Sequence, residues 1–226
     1  MLLYYITDRK GFAGTDLQQR RALLQKIAEA ARAAVDYIQL REKDLLSRNL
    51  ELLARDAVRA VQENSSITKL LVNGRVDIAI ACGADGVHMP AGELHATEVR
   101  ALWRKCSDRE PLIGVSAHST AEVREAETDG ADFTVLAPIF EKVQTAGKGI
   151  GLEALRFAAE RSQAAMNVAV PHQGNFAILA LGGVTLNNAR ACLQAGAAGV
   201  AGIRIFQNGD TGDTVLRLRE LGDSLR

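Results

Sequence analysis

The chain lacks an excess of charge of either sign. Across its 226 residues, Lys plus Arg and Asp plus Glu each number 27. Nucleic-acid and membrane-surface partners draw on a basic patch, so neither is expected. No apolar stretch approaches the roughly 20 residues of a membrane-spanning helix. Cysteine is scarce: Cys82, Cys106 and Cys192 are odd in number and lack metal-type spacing. No HxH, HExxH or CxxC motif points to a metal. The N-terminus runs straight into a strand pattern, without the basic segment, apolar core and cleavage site of a secretory signal. These absences lead us to expect a soluble, cytoplasmic protein of a reducing compartment, with a homodimer left open.

What is present is a rhythm. Short apolar runs recur, and almost every one ends in a compact polar cluster: Tyr4-Tyr5-Ile6 before Thr7-Asp8-Arg9, and Tyr37-Ile38-Gln39-Leu40 before Arg41-Glu42-Lys43-Asp44. Leu70-Leu71-Val72 leads to Asn73-Gly74-Arg75, Gly86-Val87 to His88, and Ile113-Gly114-Val115 to Ser116-Ala117-His118. Leu179-Ala180-Leu181 leads to Gly182-Gly183, and Val200-Ala201-Gly202-Ile203 to Arg204. A second phrase repeats as Gly83-Ala84-Asp85-Gly86-Val87, Gly130-Ala131-Asp132-Phe133-Thr134 and Gly196-Ala197-Ala198-Gly199-Val200, with a weaker copy at Ala34-Val35-Asp36-Tyr37. Glycine there suits a helix stop before a strand. A recurring βα unit accounts for both rhythms.

The pattern predicts strands near 2–7, 37–41, 69–73, 86–89, 112–116, 133–138, 176–181 and 199–204. It predicts helices near 17–33, 47–62, 75–82, 95–105, 120–129, 152–164, 185–195 and 212–224. Ser47 is placed as a helix cap, with Leu50, Leu53, Ala54, Ala57 and Val61 as an apolar stripe; Thr120 and Thr185 are candidate caps. Eight strands alternating with eight helices are the count of a single (β/α)8 TIM barrel covering 1–226. An open doubly wound sheet is the runner-up, but Thr7-Asp8-Arg9-Lys10-Gly11 is not its glycine-rich phosphate fingerprint. Two stretches break the rhythm: a mobile loop near 141–151 after strand 6, expected over the mouth, and an insertion near 166–175 before strand 7.

In such a barrel the chemistry sits at the C-terminal ends of the strands. The Gly182-Gly183 turn can offer backbone N–H groups to a phosphate at a helix N-terminus, and Arg204 can add a guanidinium from strand 8. Gln39, Arg41 and Lys43 alternate and so are expected to face the barrel interior. Unpaired cations there require an anionic ligand or internal acids. Glu42, between them, is expected to point outward into an ion pair. His88 and His118 end neighbouring strands, and histidine titrates where proton transfer near neutrality needs it.

These residues resemble the thiamine phosphate synthase and TenI family of (β/α)8 barrels over essentially the whole chain. The motifs are Tyr5-Ile6-Thr7-Asp8, Gln39-Leu40-Arg41-Glu42-Lys43, Asn73-Gly74-Arg75-Val76-Asp77-Ile78-Ala79, Gly86-Val87-His88, Gly114-Val115-Ser116-Ala117-His118, Leu181-Gly182-Gly183 and Gly199-Val200-Ala201. The resemblance implies one of two activities on a small thiazole phosphate. A synthase joins it to a pyrimidine diphosphate and releases pyrophosphate with magnesium; Gln39, Arg41, Lys43, Asn73, Ser116 and His88 match its substrate-contacting positions. A TenI-type tautomerase aromatises a carboxythiazole phosphate by proton transfer, needs no cofactor, and has a histidine matching His118.

Departures from the synthase pattern tilt the reading. Gly74 stands where synthases carry a magnesium-binding aspartate, leaving Glu93 as the one carboxylate for such a site. Glu141-Lys142-Val143-Gln144-Thr145 disrupts the synthase Thr-x-Thr-Lys. Against these, Gln-Leu-Arg-Glu-Lys is the synthase form. The expectation is therefore a TenI-like tautomerase with His118 as acid/base group and His88 supporting it. A magnesium-dependent synthase is the alternative, and a non-catalytic barrel binding a thiamine precursor is the third reading.

Overall fold

The computed structural model describes residues 1–140, 149–166 and 176–225. Eight parallel strands close into a barrel in chain order: β1 (Leu2–Ile6), β2 (Tyr37–Leu40), β3 (Lys69–Asn73), β4 (Gly86–Met89), β5 (Leu112–Ala117), β6 (Phe133–Leu136), β7 (Ala177–Ala180) and β8 (Gly199–Gly202). Around them run α1 (Asp16–Arg32), α2 (Ser47–Gln62), α3 (Val76–Cys82), α4 (Ala96–Arg104), α5 (Thr120–Thr128), α6 (Gly151–Met166), α7 (Ala189–Gln194), α8 (Arg204–Gln207) and α9 (Thr211–Asp223). The expected barrel is present. Most of the loop placed at 141–151 and of the insertion placed at 166–175 lies outside the described residues. No described helix is long and apolar enough to cross a membrane.

Alternation along the strands divides the core in two. Outward strand residues such as Leu3, Ile38, Leu70, Val72 and Val87 pack with the inner faces of the helices. The predicted α2 stripe of Leu50, Leu53, Ala54, Ala57 and Val61 is buried there. Inward residues form a second cluster of Tyr4, Ile6, Leu71, Phe133, Val135, Leu179 and Ala201. Aromatics are only 4% of the chain, yet three of them plug this interior. Tyr37 stacks on Phe133 at 5.1 Å, and Tyr4 meets Phe133 edge-on at 5.3 Å. The barrel is thus a packed core with a polar mouth, not a pore.

The repeated Gly-Ala-Asp phrase has a structural role. Its aspartates sit at the starts of even-numbered strands, and each accepts the free N–H of the preceding strand. Asp36 takes Leu3 N–H at 2.7 Å, Asp85 takes Leu70 N–H at 2.9 Å, and Asp132 takes Ile113 N–H at 2.6 Å. Arg219 and Arg100 neutralise Asp36 and Asp132 in turn. In the fourth copy Ala198 stands at that place, and its own N–H bonds the Ile178 carbonyl.

Three cap assignments change. Leu46 is the N-cap of α2, so Ser47 lies inside the helix, and its Oγ accepts from Arg75 instead. Ser119, not Thr120, caps α5 by accepting from Glu122 N–H. Helix α7 starts at Ala189 rather than near 185; the turn before it is closed by Asn188, whose side chain accepts from Thr185 N–H and donates to the Gly183 carbonyl.

Candidate active site

The polar groups singled out above converge on the C-terminal rim of the barrel. Gln39 is buried, and its Nε2 lies 3.5 Å from Asn73 Oδ1 on the neighbouring strand. His88 is 2% exposed. Its Nδ1 is 3.1 Å from the Tyr4 hydroxyl, and its Nε2 is 2.9 Å from Ser116 Oγ. Gly114 makes room for this ring, since a Cβ there would stand 2.8 Å from His88 Nδ1. Burial, reinforced by the nearby Arg41 charge, pushes His88 down to about 3. A neutral ring has one N–H, so the Tyr4–His88–Ser116 chain of hydrogen bonds runs in a single direction and fixes the Ser116 hydroxyl. The sequence reading put Ser116 beside His118; the structure pairs it with His88. Both His88 nitrogens are thus engaged, and the desolvated ring is held against Ser116.

His118 is different. It is exposed at the rim, and its backbone N–H donates to Glu122 at 2.7 Å. Its Nδ1 lies 2.8 Å from the Ala137 carbonyl oxygen. A carbonyl only accepts, so Nδ1 carries the hydrogen, and in the neutral ring Nε2 is the nitrogen with the lone pair.

Strand β2 ends at Leu40, so the alternation expected to carry Gln39, Arg41 and Lys43 to one face stops early. Arg41 is half-buried, while Lys43 lies in the following turn and is exposed. Their neighbours Glu42 and Asp44 are occupied by Arg9 and Lys10. Among the described residues neither Arg41 nor Lys43 has a carboxylate partner. Glu42 does enter an ion pair, as expected, but a buried one: it accepts from Thr7 Oγ1 at 2.7 Å and from Arg9 Nη1 at 3.3 Å. After β7, Gly182 and Gly183 both adopt positive φ, at 95° and 66°. Among the described residues their N–H groups have no acceptor. The late start of α7 removes the helix dipole that the sequence placed behind this turn. Arg204 opens α8, exposed and without a described carboxylate partner.

Glu93 is exposed, and its Oε2 lies 3.6 Å from where a Cβ on Gly74 would be. A rim carboxylate thus lies against the position where the synthase resemblance expects another. Magnesium is commonly held by one or two carboxylates together with substrate phosphates, so Glu93 alone is the smallest protein donor set for such a site, and among the described residues no group of three His, Cys, Asp or Glu side chains comes together. Signals missed in the sequence include Tyr4, which is the support for His88, and Gln207. The latter is buried in α8 and bonds Tyr5 and the Asp8 backbone.

A closed parallel barrel with polar side chains and free backbone donors gathered on its C-terminal rim defines a (β/α)8 barrel with an enzyme-type mouth. The chain belongs to the thiamine monophosphate synthase family, whose profile matches residues 3–206. It is 36% identical over 205 residues to a protein of Aquifex aeolicus named putative thiamine-phosphate synthase 2, covering 90% of this chain and 96% of that one. It is 37% identical over 210 residues to a thiamine-phosphate synthase of Moorella thermoacetica, covering 92% and 91% of the two chains. Among solved structures, thiamine phosphate pyrophosphorylase from Pyrococcus furiosus superposes with a TM-score of 0.76 at 26% identity, covering 99% of this chain and 96% of that one. A 3-hexulose-6-phosphate synthase shares the fold at 18% identity and a TM-score of 0.65. The chain is an enzyme of thiamine biosynthesis, and these relatives carry synthase names, which weighs against the tautomerase expectation.

Proposed function

We propose that this protein is a thiamine phosphate synthase, joining a thiazole phosphate to a pyrimidine methyl diphosphate and releasing pyrophosphate. The observation that carries the reading is that cations and backbone N–H groups without acceptors among the described residues stand at two places on the rim: Arg41 and Lys43 follow β2, while Gly182, Gly183 and Arg204 follow β7 and β8. A synthase joins two phosphorylated substrates, and a pair of cations at one place suits a diphosphate better than a single carboxylate.

In this reading the Gly182 and Gly183 N–H groups and Arg204 hold the thiazole phosphate. Gln39 and Asn73, paired at the floor, orient the pyrimidine, and Ser116 offers a hydrogen bond whose direction His88 fixes. Arg41 and Lys43 stabilise the diphosphate as its negative charge grows on departure. Glu93 would hold magnesium together with that diphosphate, and the ion would supply further charge neutralisation of the leaving group. Arg204→Ala is expected to weaken thiazole phosphate binding by about 1.5–3 kcal/mol, the range for a charged hydrogen bond. Calorimetric titration checks this, and an unchanged affinity would place the phosphate elsewhere.

A TenI-like tautomerase stays as the second reading because Gly74 replaces a metal-binding carboxylate and His118 Nε2 is free to take a proton. The pure protein should be assayed with each substrate set, with and without magnesium. The synthase reading expects magnesium-dependent release of pyrophosphate. Turnover of the carboxythiazole phosphate alone would replace it with the tautomerase, and His118→Asn should then cut that rate by about 10²–10⁴. Turnover of neither would leave a non-catalytic barrel.

Gly74→Asp is expected to tighten magnesium binding in the presence of pyrophosphate by roughly tenfold or more. An added unit charge near 4 Å is worth about 1–4 kcal/mol between water and a protein surface. Aspartate is among the residues that tolerate the φ of 65° found there. No gain in affinity would separate Gly74 and Glu93 from the metal.

A further inference from the structure

The loop after β1 is joined to the loop after β2 more tightly than a surface turn requires. Arg9 is 5% exposed although it carries a full charge. Its Nη1 and Nη2 reach Asp44 Oδ1 and Oδ2 at 2.6 and 2.7 Å, and Nη1 also donates to Glu42. The Arg9 backbone N–H adds a bond to Glu42, and Nε donates to Asp16 at 3.1 Å. Thr7 completes the joint: its Oγ1 donates to Glu42 and accepts the Arg41 backbone N–H at 2.9 Å.

The pattern along Arg41-Glu42-Lys43-Asp44 explains why this matters. The two acids turn toward Arg9, and the two bases that alternate with them have no acidic partner among the described residues. Without the clamp, Glu42 and Asp44 would be the nearest partners for Arg41 and Lys43, and the anion site would neutralise itself. Arg9 therefore removes the competing acids, and Thr7 fixes the backbone from which Arg41 projects. From the other side, Gln207 on α8 holds the same loop through the Asp8 N–H and carbonyl, at 3.2 and 2.7 Å.

We infer that Thr7 and Arg9 are positioning residues: they hold Arg41 and Lys43 at the mouth and keep Glu42 and Asp44 from quenching them. This rests on the proposed diphosphate role of Arg41, so the test carries one readout that needs no ligand. The variants are Arg9→Lys, which keeps charge but loses the planar fork that spans two carboxylates, and Thr7→Val, which keeps shape. Thr7→Val guards against loss of fold in the Arg9 variant. In each, the Arg41 Nε–H resonance is followed by NMR, and inorganic pyrophosphate and thiazole phosphate are titrated separately.

In folded variants the Arg41 signal should show increased mobility, and pyrophosphate should bind about five- to tenfold more weakly, the equivalent of one hydrogen bond of about 1 kcal/mol or slightly more. Thiazole phosphate affinity should stay at the wild-type value. An unchanged Arg41 signal with unchanged pyrophosphate affinity would overturn the inference. Equal losses for both ligands would overturn it too, since they would mark a merely structural role. If the wild-type protein ignores pyrophosphate while the Arg41 signal still responds to both variants, the positioning role stands and the diphosphate assignment falls.

Discussion

Arg9→Leu is expected to remove about 3–5 kcal/mol of folding free energy, the cost of breaking a buried ion pair by deleting one partner. The reason lies with what is left behind. Glu42 is buried, and burial pushes its carboxyl above the usual range even with Thr7 and Arg9 bonded to it. Without Arg9, an ionised Glu42 would keep the Thr7 hydroxyl and lose its counter-charge. A raised carboxyl pKa stabilises the fold fully below the unfolded value and loses that stabilisation as pH rises through the folded value. The deficit of Arg9→Leu should therefore shrink as pH falls into the carboxylate range. Asp44 works against this in the wild type. Arg9 holds it well below the usual range, so its contribution is present near neutrality and lost in acid. In Arg9→Leu the Arg9 part of that contribution is gone while Lys10 remains, and the two proteins should converge at low pH from both causes. Urea denaturation from about pH 2 to 8 reads the effect. The double variant Arg9→Leu with Glu42→Leu should recover part of the loss, because apolar pairs often replace buried ion pairs at little cost. A deficit under about 1 kcal/mol at pH 7, or no recovery in the double variant, would show that water reaches the cluster and screens it.

That clamp also marks the limit of what the sequence discloses. Thr7-Asp8-Arg9 is visible as a polar cluster after a strand, and Glu42 is readable as one half of an ion pair. Their meeting depends on β1 pairing with β2 in the register that sets Ile6 opposite Gln39, a contact across 33 residues between Arg9 and Glu42. Local propensity carries no record of it. The barrel itself was legible because each strand is a short apolar run closed by a polar cluster, and because Gly-Ala-Asp repeats. What that aspartate does was not, since the N–H it accepts belongs to another strand. Errors at the site have equally local causes. Alternation points Lys43 inward only while strand geometry persists past Leu40, and the turn ends it. Thr185 looks like a cap, but a turn closed by the Asn188 side chain comes between it and the helix at Ala189. The burial of His88 and its bond to Tyr4 are likewise absent from the local sequence.

Gly182→Ala should damage stability and phosphate binding together. Gly182 has a φ of 95°, a region L-residues rarely enter, and an added Cβ would stand 2.7 Å from both Cα and Cβ of Pro138. Forcing a side chain into such a conformation costs about 1–3 kcal/mol. Overfilling a packed position costs about 1–3 kcal/mol more. The backbone can escape only by moving the turn, and the turn is tied down: Ile139 N–H donates to the Leu181 carbonyl at 2.8 Å, and Phe140 N–H donates to the Gly182 carbonyl at 3.0 Å. Relief of the clash must therefore pull these bonds or rotate the Gly182 and Gly183 N–H groups away from the mouth. A loss of about 3 kcal/mol in urea unfolding is expected, with thiazole phosphate affinity at least roughly tenfold weaker, the equivalent of one charge-assisted hydrogen bond. Arg204→Ala is the contrast, since an exposed guanidinium without a described acidic partner should cost binding and leave unfolding unchanged. If Gly182→Ala retains both stability and affinity, the turn has slack and its N–H groups do not hold the phosphate. If it loses stability alone while binding persists, the anion is held by Arg204 and the β8 end without the turn.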